Sequence, residues 1–451
     1  MLRLIFTVLL LWAISEAAVL TRRRQQYFTL ARPGGIKDLQ ISDNTLNGTY
    51  HDHQTKIYNP RVARALHAEG DGLSLEFINT SGSGAMRAYV TGLDSLNRVV
   101  FVTASGALVY PSSGGSGVPV PIQEDVAIPL PATEDSFRMS IPIAISSGRV
   151  WFARGELRFF MVKTPNGDGL VQPSPMNLQD PSSTTDWGFA ELTFTKEGAL
   201  FANISFVDFV GLPLGVSLST RNGNEPQTTR GLGVGCVATI CNGMIEQGDK
   251  DGFPWSRMCV ADEEGIPIRV LSPNNYAVLN DADFQAYWDS YVDQVWDKYS
   301  STPLKINTQS EAGSVECWVS DDTLKCSGGD NRDYAKPKAV DIWGCNSGPF
   351  ERRPEDNAVH VAIIPRLCAA FVRSTLLLDG GDVQPRLTSE SYYTNNPASH
   401  YSRLIHELEV DGRGYAFPYD DVNPDDGGNA SGIVTSDQPE TLTIFVGAPL
   451  G

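Results

Sequence analysis

The chain has 451 residues, with 35 Lys and Arg against 53 Asp and Glu, for a formal net charge of −18. Hydrophobic residues make up 41% and aromatic residues 9%, an ordinary globular composition that excludes a disordered or collagen-like chain. The acidic excess argues against nucleic acid and anionic membranes as partners, because phosphate binding needs clustered Lys and Arg. A neutral polysaccharide is compatible with it.

In chain order the first element is an apolar run, Leu4 to Ile14, behind Arg3 and ahead of the small residues Ser15, Ala17 and Ala18. Its length and flanks read as a secretory signal over residues 1–18, too short for a membrane span. Arg22-Arg23-Arg24 offers a processing site, which makes 19–26 an expected propeptide. No further apolar run of spanning length follows. The expectation is a soluble secreted protein, extracellular or cell-wall associated.

From about residue 27 to 214 short alternating runs stand between turn signals. Leu73 to Ile78, Arg98 to Thr103 and Val150 to Ala153 read as strands, with Gly/Ser/Pro clusters such as Ser112 to Gly117 between them. Many short strands at this spacing predict a β-sandwich or barrel. Helical periodicity appears only in the middle of the chain. Phe284, Tyr287, Trp288, Tyr291, Val292, Val295 and Tyr299 fall on one helical face, with Asn280 or Asp281 as N-cap. Val359 to Leu378 is a second helix candidate interrupted by Pro365, and its first part could equally be a strand. All 7 cysteines lie between Cys236 and Cys368. In an oxidising compartment they allow at most three bridges and leave one thiol. Residues 215–399 therefore read as a mixed α/β, cysteine-containing unit. After about residue 400 strand texture returns, in Tyr401 to Glu409 and Thr441 to Val446. The C-terminus is expected to complete the β part. Sequons stand at Asn47, Asn79, Asn203 and Asn429.

Nucleophilic and metal chemistry find little support. No Gly-x-Ser-x-Gly elbow, His-Glu-x-x-His or Cys-x-x-Cys occurs. His51-Asp52-His53 has no spaced third ligand and reads as a solvated loop. Carboxylates are better placed. Glu191 shares one face of an alternating run with Thr193 and Thr195, while Leu192 and Phe194 take the other. Asp208 stands between Val207 and Phe209. An acid in an apolar strand needs a polar cleft or compensating hydrogen bonds, and apolar walls raise its pKa towards the range useful for acid–base work. Asp411, Asp420 and Asp421 are further candidates for an acidic cleft, with turn closure as the plain alternative for Asp420 and Asp421. Tyr415 shares a face with Phe417 that suits sugar rings, with barrel core as the commoner use. In a plain hairpin turning near Lys196-Glu197-Gly198, Glu191 would pair near Asn203. Asp208 would then lie on the opposite face, about 17 Å away. A shared site thus requires a bulge or a change of pairing partner.

Phe189-Ala190-Glu191-Leu192-Thr193-Phe194 and the run from Ile204 to Leu214 resemble the core of glycoside hydrolase family 64, β-1,3-glucanases with a thaumatin-like β domain. His400 to Arg403 and Asp411 to Val422 extend the resemblance, with motif order kept from about residue 27 to 449. It implies a β-rich, multi-domain fold: a thaumatin-like barrel or sandwich, here 27–214 with 400–451, and a mixed α/β domain flanking a wide groove. It implies an endo-acting, inverting β-1,3-glucan hydrolase that releases short laminari-oligosaccharides and needs no cofactor or metal. Glu191 takes the place of the general acid and Asp208 that of the general base, with Thr193 near the acid and Ser205 near the base. A monomer is the expected state. The alternative is a thaumatin-like glucan-binding or defence protein without catalysis.

Overall fold

The computed structural model describes residues 27–41, 44–50, 53–59, 62, 72–81, 85–131, 135–425 and 431–447. The expected signal and propeptide, His51-Asp52 and the sequon at Asn429 lie outside the described residues. Strands dominate, arranged in several sheets, and helices are few.

Alternation sets the first sheet. In β2 (Leu73–Asn79) every second residue is buried, starting from Leu73. This strand pairs in parallel with β12 (Pro439–Val446), which pairs antiparallel with β10 (Leu214–Thr220). The C-terminal strand thus lies between strands from the N-terminal half. β10 and the strand Gln227–Thr229 carry this sheet past residue 215.

The site is built on a nine-stranded sheet. Its centre is β3 (Met86–Leu93), β5 (Ile145–Arg154), β7 (Asp186–Phe194) and β8 (Leu200–Ile204), paired antiparallel in that order. β4 (Val99–Val102) follows β3 and is buried along its whole length. The register sets Arg149 opposite Glu191, and Glu191 opposite Asn203. Directly opposed residues share a face, so these three side chains form one rung. Just before Arg149 both ladders of β5 slip, and Ser147 adopts φ 46°. A Cβ on Gly148 would stand 2.8 Å from the Leu192 carbonyl oxygen, so the bulge needs a glycine there. Farther along the same face, Trp151, Trp187, Phe189 and Phe209 pack with ring centroids 4.6–6.3 Å apart.

The helices are α1 (Cys236–Asp251), α2 (Pro273–Leu279), α3 (Asp289–Ser301), α4 (Ala358–Val372) and α5 (His400–Leu408), with a one-and-a-half-turn helix at Ala339–Gly344. The aromatic stripe expected on one helix is divided. A 3-10 turn over Asp281–Phe284 precedes α3, and Phe284, Tyr287 and Trp288 are buried outside the α-helix proper. α4 is helical from Ala358 and carries Pro365 inside it, so its first part is not a strand. The strand expected over 401–409 is helix α5. Ser399 caps it by accepting from the Ser402 N–H, and Tyr401, Leu404 and Ile405 bury one face at helical spacing. Cys241–Cys259, Cys317–Cys326 and Cys345–Cys368 are bridged, and Cys236 is a buried free thiol. Asn79 is buried and donates to the Pro131 carbonyl. No helix among the described residues is long and apolar enough to cross a membrane.

Candidate functional site

Glu191 sits near the end of β7 with its side chain 37% exposed. Arg149 from β5 reaches it, Nη2 to Oε1 at 3.3 Å, and donates from Nη1 to Gln172 Oε1 at 3.0 Å. The guanidinium lies 4.3 Å from the Phe189 ring centroid, so an aromatic face fixes its plane. Glu191, Thr193, Arg149, Gln172, Phe201 and Asn203 line a cleft of about 470 Å³.

Asp208 arrives by another route. After Ile204 the chain leaves the β7 ladder and changes partner. Ser205 bridges in parallel to Tyr415, and the Phe206 N–H donates to the Tyr415 carbonyl at 2.7 Å. The Tyr401 hydroxyl of α5 donates to the Phe206 carbonyl at 2.6 Å. The Asp208 carbonyl accepts from the Ser272 N–H at 3.0 Å and from Asn275 Nδ2 at 2.9 Å, both at the start of α2. β9 (Phe209–Val210) then pairs with β11 (Pro267–Leu271), and the Leu212 N–H returns to the Trp187 carbonyl. At that return a Cβ on Gly211 would lie 2.2 Å from the Trp187 oxygen, so only glycine lets the strands meet. This detour is the change of partner that a shared site demanded. These two hydrogen bonds hold the Asp208 carbonyl and do not use its half-buried carboxyl. Burial raises the Asp208 pKa; the Arg149 charge opposes the rise and the Glu191 charge adds to it. Arg149 thus contacts Glu191 directly, and its charge also bears on Asp208.

The other expected residues divide. Thr193 lines the cleft beside Glu191. Ser205 turns back on its own loop and accepts the Val207 N–H at 3.3 Å, so it shapes the approach to Asp208. Tyr415 is half-buried. Its hydroxyl is pushed up to about 12 by burial, with the charges of Asp421, Asp420 and Glu191 adding to the shift. Asp421 is exposed. Asp420 is not a cleft residue. It is 1% exposed and holds Arg373 at 2.9 Å, His406 Nε2 at 3.0 Å and the Ala416 N–H at 2.9 Å. Burial opposes its ionisation, but His406 and Arg373 outweigh that and hold its carboxyl below the usual value. Asp411 is likewise engaged, accepting from the Arg230 N–H.

Sequence reasoning missed Arg149 and Gln172. The signal for Arg149 was a cation heading the apolar run Val150 to Ala153, the counterpart of an acid between Val207 and Phe209. Among the described residues no group of His, Cys, Asp and Glu is arranged to hold a metal ion.

Residues 71–446 match the family model described as β-1,3-glucanase, glycoside hydrolase family 64. A glucan endo-1,3-β-glucosidase of Cellulosimicrobium cellulans is 27% identical over 374 residues, which cover 80% of this chain and 63% of that protein. Its counterpart in Arthrobacter sp. (strain YCWD3) is 28% identical with the same coverage. The chain thus spans 63% of the length of these curated relatives. A laminaripentaose-producing β-1,3-glucanase, solved in complex with laminaritetraose, superposes with a TM-score of 0.72 at 27% identity, covering 84% of this chain and 99% of that one. A β-1,3-glucanase domain from Clostridium beijerinckii gives 0.65 at 19% identity, covering 83% and 98%, a likeness of fold.

Proposed function

This chain belongs to glycoside hydrolase family 64, and from that premise we propose that it is an endo-acting β-1,3-glucan hydrolase that inverts the anomeric centre. Glu191 is the general acid: it gives its proton to the glycosidic oxygen as the bond from C1 to that oxygen breaks. Asp208 is the general base: it takes a proton from the water whose oxygen forms the new bond to C1 on the opposite face. Such a pair needs carboxyls about 6.5–9.5 Å apart, with the water between. The observation that carries the reading is the chain's departure from β7 after Ile204, which sets the half-buried Asp208 where the charges of Arg149 and Glu191 bear on it. Burial raises the Asp208 pKa, which makes it a stronger base once ionised. Thr193, Tyr415 and Asp421 supply hydroxyl and carboxylate partners for sugar hydroxyls, and the products are short laminari-oligosaccharides.

The same reading covers the setting. The β-rich part is of thaumatin-like type and the protein acts as a monomer. It is secreted, which three disulfides and the signal-like N-terminus favour. Incubation with linear β-1,3-glucan, resolving soluble oligosaccharides over time, tests it. Wild type releases them; Glu191→Gln and Asp208→Asn do not. A folded wild type that binds the glucan and releases nothing overturns the hydrolase in favour of a binding protein.

A further inference from the structure

One wall of the cleft comes from a part of the chain that the family match does not include. The match begins at residue 71, yet Asn44, Thr45 and Leu46 line the cleft together with Glu191, Thr193 and Asn203. They open β1 (Thr45–Asn47), an edge strand that pairs antiparallel with β6 (Gly167–Val171).

The matched region is shaped to receive this strand. A Cβ on Gly167 would stand 2.2 Å from the Tyr50 nitrogen and 2.5 Å from the Gly48 oxygen, and one on Gly169 would stand 2.7 Å from Thr45 Cγ2. A larger residue at Gly167 would collide with the backbone of the upstream segment, and one at Gly169 would crowd the Thr45 side chain. Asn44 clasps the end of β6: its amide donates to the Gln172 and Pro173 carbonyls, and its own carbonyl accepts the Gln172 N–H. Gln172 in turn accepts from Arg149, which reaches Glu191. The upstream strand is thus fastened and runs, through Gln172, into the contacts around the acid.

We infer that residues 44–46 are a specificity element: they form one wall of the glucan cleft and favour longer β-1,3-glucan chains by contacting sugars beyond the cleaved bond. Among the described residues β1 is the edge of its sheet, and the polar side chains it brings to the cleft are the Asn44 amide and the Thr45 hydroxyl, groups that suit a chain of sugar hydroxyls. The inference rests on the hydrolase reading.

The test uses the full chain and the variants Asn44→Ala and Thr45→Ala. For each, kcat/KM is measured on laminaritetraose and on a longer linear laminari-oligosaccharide, with thermal melts as folding controls. The ratio of long to short is expected to fall about tenfold in Asn44→Ala and about threefold in Thr45→Ala, the range of one or two lost hydrogen bonds, with product lengths shifting in parallel. If one variant does not fold, the other carries the test. Folded variants that keep the wild-type ratio and product lengths overturn the inference while leaving the hydrolase intact. A wild type that releases no oligosaccharide overturns the hydrolase reading itself, so the two failures are distinct.

Discussion

Two carboxylate clusters, joined by the chain segment 415–421, use the same residue types to opposite ends. In the first, Glu191 at the cleft pairs with one cation, Arg149, whose charge also bears on Asp208, and neither carboxyl is enclosed by buried partners. In the second, Asp420 and Glu409 are buried with Arg373 and His406, and both Asp420 oxygens are engaged. A carboxylate saturated by buried partners is part of the scaffold. One that is under-partnered, and whose backbone rather than side chain is tied down, is free to meet a substrate.

The sharpest way to break this contrast is to neutralise one acid in each cluster. Glu191→Gln and Asp208→Asn are expected to lower kcat on the order of 10³-fold, the scale of acid–base catalysis, with the melting temperature nearly unchanged. Asp420→Asn is expected to cost about 3–5 kcal/mol in denaturant unfolding, because it leaves Arg373 and His406 buried without their counter-charge. Equal stability losses in both clusters would erase the distinction.

The sealed cluster should also show itself in pH. Burial disfavours the charged form of His406, but Asp420 and Glu409 overcome this and raise its pKa to about 10. A raised folded-state pKa contributes stability that is fully present below the unfolded value of about 6.5 and is lost as pH rises through the folded one. Unfolding free energy should therefore decline from about pH 6.5 towards pH 10, and His406→Gln should flatten that decline. At the cleft, Arg149→Met removes the charge that opposes protonation of Asp208. The acidic limb of kcat/KM should then move to higher pH, and Arg149→Lys should hold it near wild type. Activity lost without any movement of the limb would assign Arg149 to packing alone.

How much of this was legible follows from the same physics. Glu191 stands in a regular ladder, and alternation alone places it beside Thr193. Asp208 was visible as an acid among apolar neighbours, and the need for an irregular strand followed from counting residues. What fastens the irregularity was not visible: Tyr401, Ser272 and Tyr415 are distant in sequence, and Tyr401 lies in a stretch that alternates well enough to pass for a strand. Asp420 looks like a turn residue facing solvent, and nothing local reveals that Arg373 and His406 cover it. Arg149 depends on register, which sequence periodicity does not fix.

The smallest expected effect concerns Cys236. Burial pushes its thiol up to about 12, so an alkylating reagent at neutral pH should leave it untouched in the native protein and label it on unfolding. Labelling without unfolding would show that the core under α1 opens locally.

The most direct test of the central claim is proton NMR of the first reducing ends released from β-1,3-glucan, read before mutarotation. Two carboxylates with a water between them predict that the α-anomer appears first. First appearance of the β-anomer would mean retention through a covalent intermediate, and would contradict the roles given to Glu191 and Asp208.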